Sequence, residues 1–118
     1  MKLLIVEDNP LIAAAIEKAG ERLNLRADVA TDGWDAIEKL QNEQYSAIVI
    51  DTDLPRHSGY GVVTYLREEV GDDLGNVVLM TTSDRDDVRH RTSESLRVIT
   101  RTEEVELIVA AIGTNRRE

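Results

Sequence analysis

The sequence predicts a doubly wound α/β domain, in which a parallel sheet of five strands carries helices on both faces. Short apolar runs alternate with segments of helical periodicity along the 118 residues. Several of these runs are unbroken by polar residues, which is typical of parallel strands that are covered on both sides. Strand–helix alternation at this spacing is typical of a parallel sheet. A chain of this length forms one domain and is too short for two.

The first half of the chain predicts two strands and two helices. Residues 1–6 form the first apolar run, and residues 26–30 form a short second one. Asn9 is the expected N-cap of the first helix, because a proline at the next position loses nothing by its missing N–H. Apolar residues then recur on one face of that helix: Leu11, Ile12, Ala15, Ile16, Ala19 and Leu23. Asp32-Gly33 opens a second helix, which carries Trp34, Ile37 and Leu40.

The second half predicts three more strands and three helices. The third strand ends at Asp51, and residues 76–81 and 97–100 give the fourth and fifth. A third helix is expected from Tyr60 to Val70, with Val62, Val63 and Leu66 facing inward. The last helix is expected from Glu103 to Ile112, with Leu107, Ile108, Ala111 and Ile112 buried. The fourth helix is atypical, because the stretch 84–95 contains a single apolar residue, Val88.

Acidic side chains follow two of the apolar runs. Glu7 and Asp8 end the first strand, and Asp51 and Asp53 end the third. Ligands in open α/β sheets gather at the carboxyl ends of the strands. If these two strands are neighbours, the four carboxylates meet at one edge and repel each other. A hard divalent cation relieves that repulsion, so the sequence predicts a pocket for Mg²⁺.

Composition excludes several functional classes. The formal net charge of −9 argues against a nucleic-acid surface, which depends on Lys and Arg to neutralise phosphates. No apolar stretch approaches the roughly 20 residues that a membrane span needs. The absence of cysteine excludes disulfides and thiolate metal sites. We therefore expect a cytoplasmic protein that contacts neither nucleic acid nor membrane.

The ordered set of these residues resembles the receiver domain of two-component response regulators, over essentially the whole chain, 1–118. The resemblance rests on Glu7-Asp8, on Asp51-x-x-x-Pro55-x-x-x-Gly59, on Thr81 at the end of the fourth strand and on Asp32-Gly33. It implies the strand order 2-1-3-4-5, which is known for a chemotaxis regulator of this family. It also implies that residues 113–118 are a tail or the start of a linker.

The resemblance implies a role for each matching position. Asp51 would accept a phosphoryl group from a phosphohistidine on a sensor histidine kinase or histidine phosphotransferase. Asp8 and Asp51 would bind Mg²⁺ through carboxylates, Glu7 through water and Asp53 through its backbone carbonyl. Thr81 would hydrogen-bond a phosphoryl oxygen, Pro55 would fix the exit from the third strand, and Gly59 would supply a turn. The domain would catalyse only its own phosphorylation and dephosphorylation, signal to a downstream protein effector, and not be an enzyme otherwise.

The chain departs from the family pattern near the fifth strand. The family has a lysine followed by a proline where this chain has Arg101-Thr102, and an aromatic residue where it has Val98. Without proline, a cis peptide would cost about 3 kcal/mol, so the 101–102 bond is expected to be trans. We expect Arg101 to sense the phosphoryl group, because its guanidinium can contact two phosphoryl oxygens. On phosphorylation, Arg101 would order residues 84–95. The aromatic switch of the family is not available for this response, because Val98 has no ring to rotate.

Two alternatives from other classes stay open at this stage. A pseudo-receiver would bind proteins without phosphorylation, which fits the departures at Val98, Arg101 and Thr102. An Mg²⁺-dependent enzyme of the topoisomerase–primase type also places a glutamate after one strand and an Asp-x-Asp after a later one. That enzyme leaves Pro55, Gly59 and Thr81 without a role. The sequence names no cognate kinase, pathway, output or oligomeric state.

Overall fold

The computed structural model describes residues 1–54, 58–71, 73–93 and 96–117. Five parallel strands form one sheet in the order β2-β1-β3-β4-β5, which confirms the predicted order. The strands are β1 (Lys2–Val6), β2 (Arg26–Ala30), β3 (Ala47–Asp51), β4 (Val77–Thr81) and β5 (Arg97–Thr100). Because β1 pairs with both β2 and β3, the two acid-bearing strands are neighbours.

Five helices cover the two faces of the sheet. They are α1 (Pro10–Arg22), α2 (Gly33–Asn42), α3 (Gly59–Thr64), α4 (Arg85–Arg91) and α5 (Val105–Asn115). Apolar residues of α1 and α5 share one core cluster with the sheet, and those of α2, α3 and α4 share the other. The predicted α/β architecture, with helices on both faces, is therefore confirmed.

The central strands explain why both faces can be buried. Successive side chains of a strand point to opposite faces. Accordingly, Leu4 and Val6 lie in the α2–α3–α4 cluster, whereas Leu3 and Ile5 lie in the α1–α5 cluster. All five residues of β3, and all five of β4, are buried. Alternate side chains of one uninterrupted apolar run thus pack in two different core clusters.

Side-chain caps fix the start of two helices where the sequence places them. Asn9 Oδ1 accepts hydrogen bonds from the backbone N–H of Leu11 (2.9 Å) and Ile12 (3.3 Å) at the start of α1. Asp32 Oδ1 accepts the N–H of Asp35 (2.9 Å) at the start of α2. Each cap satisfies helix-terminal donors that have no partner within the helix.

Three helix predictions need correction. The predicted third helix begins at Gly59 and not at Tyr60, is α-helical only to Thr64, and continues as π-helix from Tyr65 to Val70. The last helix runs Val105–Asn115 and not Glu103–Ile112, so its final turn includes the start of the expected tail. Leu107 and Leu11 are 54% and 66% exposed, since each lies at the rim of an apolar stripe whose other residues already fill the core.

The fourth helix is short, as expected. It spans seven residues, of which Val88 alone is buried. Asp84 caps its first turn by accepting the N–H groups of Asp86 and Asp87. The predicted weak segment also includes Glu94 and Ser95, which lie outside the described residues.

Candidate functional site

The acidic residues meet where β1 and β3 end. Glu7, Asp8 and Asp51 each offer one carboxylate oxygen, and these oxygens all lie within 4.8 Å of one another. Glu7 and Asp51 are both 1% exposed, whereas Asp8 is exposed to solvent. The structure thus brings together three of the four acids that the sequence placed in the pocket. We call these three residues the acidic cluster.

Asp53 takes a different position from the other acids. Its side chain is exposed and accepts a hydrogen bond from Thr82 Oγ1 (3.0 Å). Its backbone N–H donates to Asp51 Oδ1 (2.8 Å). Asp53 therefore helps to orient the Asp51 carboxylate through its main chain.

Arg101 reaches into the acidic cluster from the end of β5. Its backbone N–H donates to Thr81 O (2.9 Å), which prolongs the pairing of β4 with β5. Its Nη2 lies 2.6 Å from Glu7 Oε1 and 3.1 Å from Asp51 Oδ2. Burial by itself lowers the pKa of Arg101, but the hydrogen bond to Glu7 and the charge of Asp51 raise it overall. The side chain is therefore a fixed cation.

The buried carboxylate of Glu7 is only partly satisfied by hydrogen bonds. Its Oε1 accepts from the Asn9 N–H (3.1 Å) and from Arg101, while its Oε2 is buried with no hydrogen-bond partner among the described residues. Burial, assisted by the nearby Asp51 carboxylate, raises the pKa of Glu7 to about 7, against the opposing effect of Arg101. One guanidinium is too little positive charge for two buried carboxylates.

Thr81 is fully buried at the end of β4. Its Oγ1 accepts hydrogen bonds from Thr52 Oγ1 (3.1 Å) and from the Ser83 N–H (3.0 Å), which leaves its own proton available to donate. The sequence reasoning missed Thr52, which is 5% exposed. A hydroxyl directly after Asp51, beside a strand that also ends in a hydroxyl, is the signal that could have found it.

Gly59 packs against the end of β3. A Cβ built on Gly59 would lie 2.2 Å from Asp51 O and 3.0 Å from Ile50 Cγ2. The residue is therefore required for close approach of α3 to the strand, a role that differs from the expected turn. Pro55, which the resemblance places at the exit from the third strand, lies outside the described residues.

The departures near β5 have distinct structural outcomes. Val98 is 2% exposed and packs in the α2–α3–α4 cluster as an ordinary core residue. No peptide bond among the described residues is cis, so the Arg101–Thr102 bond is trans as expected.

A family model described as "Response regulator receiver domain" matches residues 3–113. The chain belongs to this family. The receiver fold and the two-component assignment are thereby established, and the topoisomerase–primase alternative is not supported. Receiver domains are generally signalling modules and not enzymes. Among the described residues, no helix is long and apolar enough to cross a membrane.

Several curated proteins share sequence with this receiver domain. The transcriptional activator protein IrlR of Burkholderia pseudomallei is 34% identical over 91 residues, which are 77% of this chain and 38% of IrlR. The transcriptional regulatory protein DltR of Streptococcus agalactiae is 37% identical over 68 residues, 58% of this chain and 30% of DltR. The autoinducer 2 sensor kinase/phosphatase LuxQ of Vibrio harveyi is 31% identical over 84 residues, 71% of this chain and 10% of LuxQ. The matched segment thus spans well under half the length of these relatives.

Solved structures confirm the fold. The Vibrio cholerae chemotaxis protein CheY4 superposes with a TM-score of 0.85 at 17% identity, covering 97% of both chains. The receiver domain of the Francisella response regulator 1452 gives a TM-score of 0.79 at 22% identity, covering 95% of this chain and 93% of its own. At these identities the likeness concerns the architecture alone.

Proposed function

We propose that this receiver domain accepts a phosphoryl group on Asp51 from a phosphohistidine of a sensor histidine kinase or histidine phosphotransferase. The observation that carries the proposal is the position of Asp51, buried at the carboxyl end of β3 beside Glu7 and Asp8. The similarity to a sensor kinase/phosphatase, LuxQ, supports a phosphorelay setting. The proposal includes a cytoplasmic location for this chain and a downstream protein effector.

The acidic cluster fits a hard divalent cation. Mg²⁺ prefers oxygen ligands and is usually held by one or two carboxylates while it keeps several waters. The carboxylate of the exposed Asp8 offers an oxygen that could bind the ion, and so does Glu7 Oε2, which has no hydrogen-bond partner in the described part of the chain. We infer that Asp8 and Asp51 hold Mg²⁺ through their carboxylates, Glu7 through water and Asp53 through its backbone carbonyl. When bound, the ion would neutralise charge on the attacked phosphoryl group.

The remaining chemistry falls to the protein. An Asp51 carboxylate oxygen attacks phosphorus, the phosphorus–nitrogen bond of the phosphohistidine breaks, and the imidazole nitrogen keeps the bonding electron pair. Phosphoryl transfer depends mainly on positioning and on charge stabilisation. The Asp53 N–H holds Asp51 Oδ1 in place. The free proton of Thr81 and the Arg101 guanidinium are the donors available to the phosphoryl oxygens.

The proposal predicts that Asp51 alone gains phosphate. The full chain, incubated with Mg²⁺ and a small phosphodonor, should gain one phosphate by mass spectrometry. Asp51→Asn should abolish that gain because the amide is no nucleophile. Asp53→Asn, a matched change two residues away, should retain it. Phosphate on Asp53 or His57 in peptide mapping would refute the assignment, and a wild-type chain that takes up none would favour the pseudo-receiver.

A further inference from the structure

One nitrogen of Arg101 serves two buried carboxylates. Nη2 contacts both Glu7 Oε1 and Asp51 Oδ2, whose side chains are wholly buried, while the Arg101 side chain is 22% exposed. The guanidinium thus supplies positive charge to the acidic cluster from a partly buried side chain. In this arrangement Arg101 already performs part of the charge neutralisation that a metal ion would perform.

The ion pair between Arg101 and Glu7 leaves one polar atom of each side chain without a hydrogen bond among the described residues. Arg101 Nε and Glu7 Oε2 are buried and have no hydrogen-bond partner among the described residues. A structural salt bridge is worth most when such groups are all satisfied, since desolvation otherwise offsets the attraction. The contact is therefore one that a stronger cation could replace.

Deprotonation cannot remove the positive charge of Arg101, because an arginine guanidinium stays charged at all physiological pH values. A divalent ion among the same oxygens would meet that charge at a few ångströms, where repulsion in a partly buried site is strong. Metal binding therefore requires the guanidinium to move away from Glu7 and Asp51.

We propose that Arg101 is a resident counter-cation of the acidic cluster, which Mg²⁺ must displace in order to bind. This inference rests on the metal site of the proposed function. It adds that displacement of Arg101 weakens the binding of Mg²⁺ to that site. A phosphoryl group on Asp51 would offer the displaced guanidinium a new anionic partner. Mg²⁺ and the phosphoryl group should consequently favour each other's binding, as linkage requires.

Calorimetric titration of the full chain with Mg²⁺ alone tests the inference. Arg101→Gln removes the competing charge and should tighten Mg²⁺ binding by about tenfold or more. Arg101→Lys keeps a charge on a more flexible stem and should fall between that variant and the wild type. Arg97→Gln, an exposed arginine at the amino end of the same strand, is the matched control and should leave affinity unchanged. Equal or weaker binding by Arg101→Gln overturns the proposal.

A second measurement follows the wild-type chain and does not require Arg101→Gln, in case that variant folds poorly. The Arg101 Nε–H resonance, identified by its loss in Arg101→Lys, should shift as Mg²⁺ saturates the protein. It should shift further when beryllofluoride, a phosphoryl mimic, is added. Saturation with Mg²⁺ without a shift would contradict displacement. Tighter binding in Arg101→Gln, combined with no phosphate on Asp51, would leave this inference standing and reject the proposed function.

Discussion

Gly59 illustrates how one residue determines the geometry of the site. The carbonyl of Asp51 occupies the space in which any other residue would place its Cβ, at 2.2 Å. Contacts this short do not occur without displacement of the backbone. Because the atom concerned belongs to Asp51, a member of the acidic cluster, the displacement would reach that cluster directly.

We expect Gly59→Ala to lower the free energy of unfolding by roughly 1–3 kcal/mol, the usual cost of overpacking a dense site. Gly113→Ala in α5 is the matched control, because its Cβ would meet only Leu23 Cδ2 at 3.9 Å. That variant should be stabilised by up to about 1 kcal/mol, since alanine favours helix. Urea denaturation measures both changes, and equal effects of the two substitutions would contradict the assigned role of Gly59.

At the scale of elements, α4 is the least anchored helix. It contributes only Val88 to the core, although Thr92 Oγ1 donates to Val88 O (2.7 Å) and Arg67 donates to Thr92 O. Arg91 also lies over the ring of Tyr60, 5.6 Å from its centroid. Segments with few buried apolar contacts open locally at low free energy. Because Val98 has no ring to rotate, we propose that this region reports phosphorylation through a change in the order of α4.

We predict that amide hydrogens of residues 84–93 exchange faster than those of α1, and that beryllofluoride with Mg²⁺ slows them. Val88→Ala should accelerate their exchange further, because it removes most of the only buried side chain of α4. Leu107→Ala, a truncation of an exposed apolar residue in α5, serves as the control and should leave this exchange unchanged. Equal exchange of residues 84–93 with and without beryllofluoride would reject ordering as the response.

At the scale of the whole molecule, a polar network holds the edge strand β2 to the rest of the sheet. Asp28 Oδ2 accepts from Tyr45 Oη (2.7 Å) and pairs with Lys2 Nζ (2.8 Å), which also lies 3.3 Å from Glu43 Oε1. The network joins β1, β2 and the segment before β3, at the opposite end of the sheet from the acidic cluster. The hydrogen bond from Lys2, followed by that from Tyr45, lowers the pKa of Asp28.

This network predicts a pH dependence of stability. Because the pKa of Asp28 is lower in the folded state, its contribution is present above its ordinary pKa of 3.8 and is lost as the pH falls through the folded value. Asp28→Asn should therefore cost stability at pH 7 and progressively less below pH 3.8. The pair is partly exposed, so we expect a difference of about 1 kcal/mol or less. Thermal unfolding from acid to neutral pH measures it, with Glu17→Gln on exposed α1 surface as the control; a constant difference would contradict the prediction.

The five strands, the acids that follow β1 and β3, and the approximate positions of the helices could all be predicted from the sequence. Unbroken apolar runs are typical of strands that are covered on both faces in a parallel sheet, and this pattern predicted β1, β3 and β4. The convergence of Glu7, Asp8 and Asp51 followed from it on the condition that β1 and β3 are neighbours. Local signals such as the Asn9 and Asp32 caps also depend on neighbouring residues alone. The family resemblance supplied the strand order.

Only the tertiary structure decided how distant side chains share the site. The contact of Arg101 with Glu7 spans 94 residues of sequence, and that of Thr52 with Thr81 spans 29. No periodicity encodes such pairs, because they depend on the twist of the sheet and on which rotamers fit beside one another. The same holds for Gly59, whose necessity arises from the carbonyl that it contacts, and for Leu107, whose exposure depends on how α5 rotates to bury its neighbours.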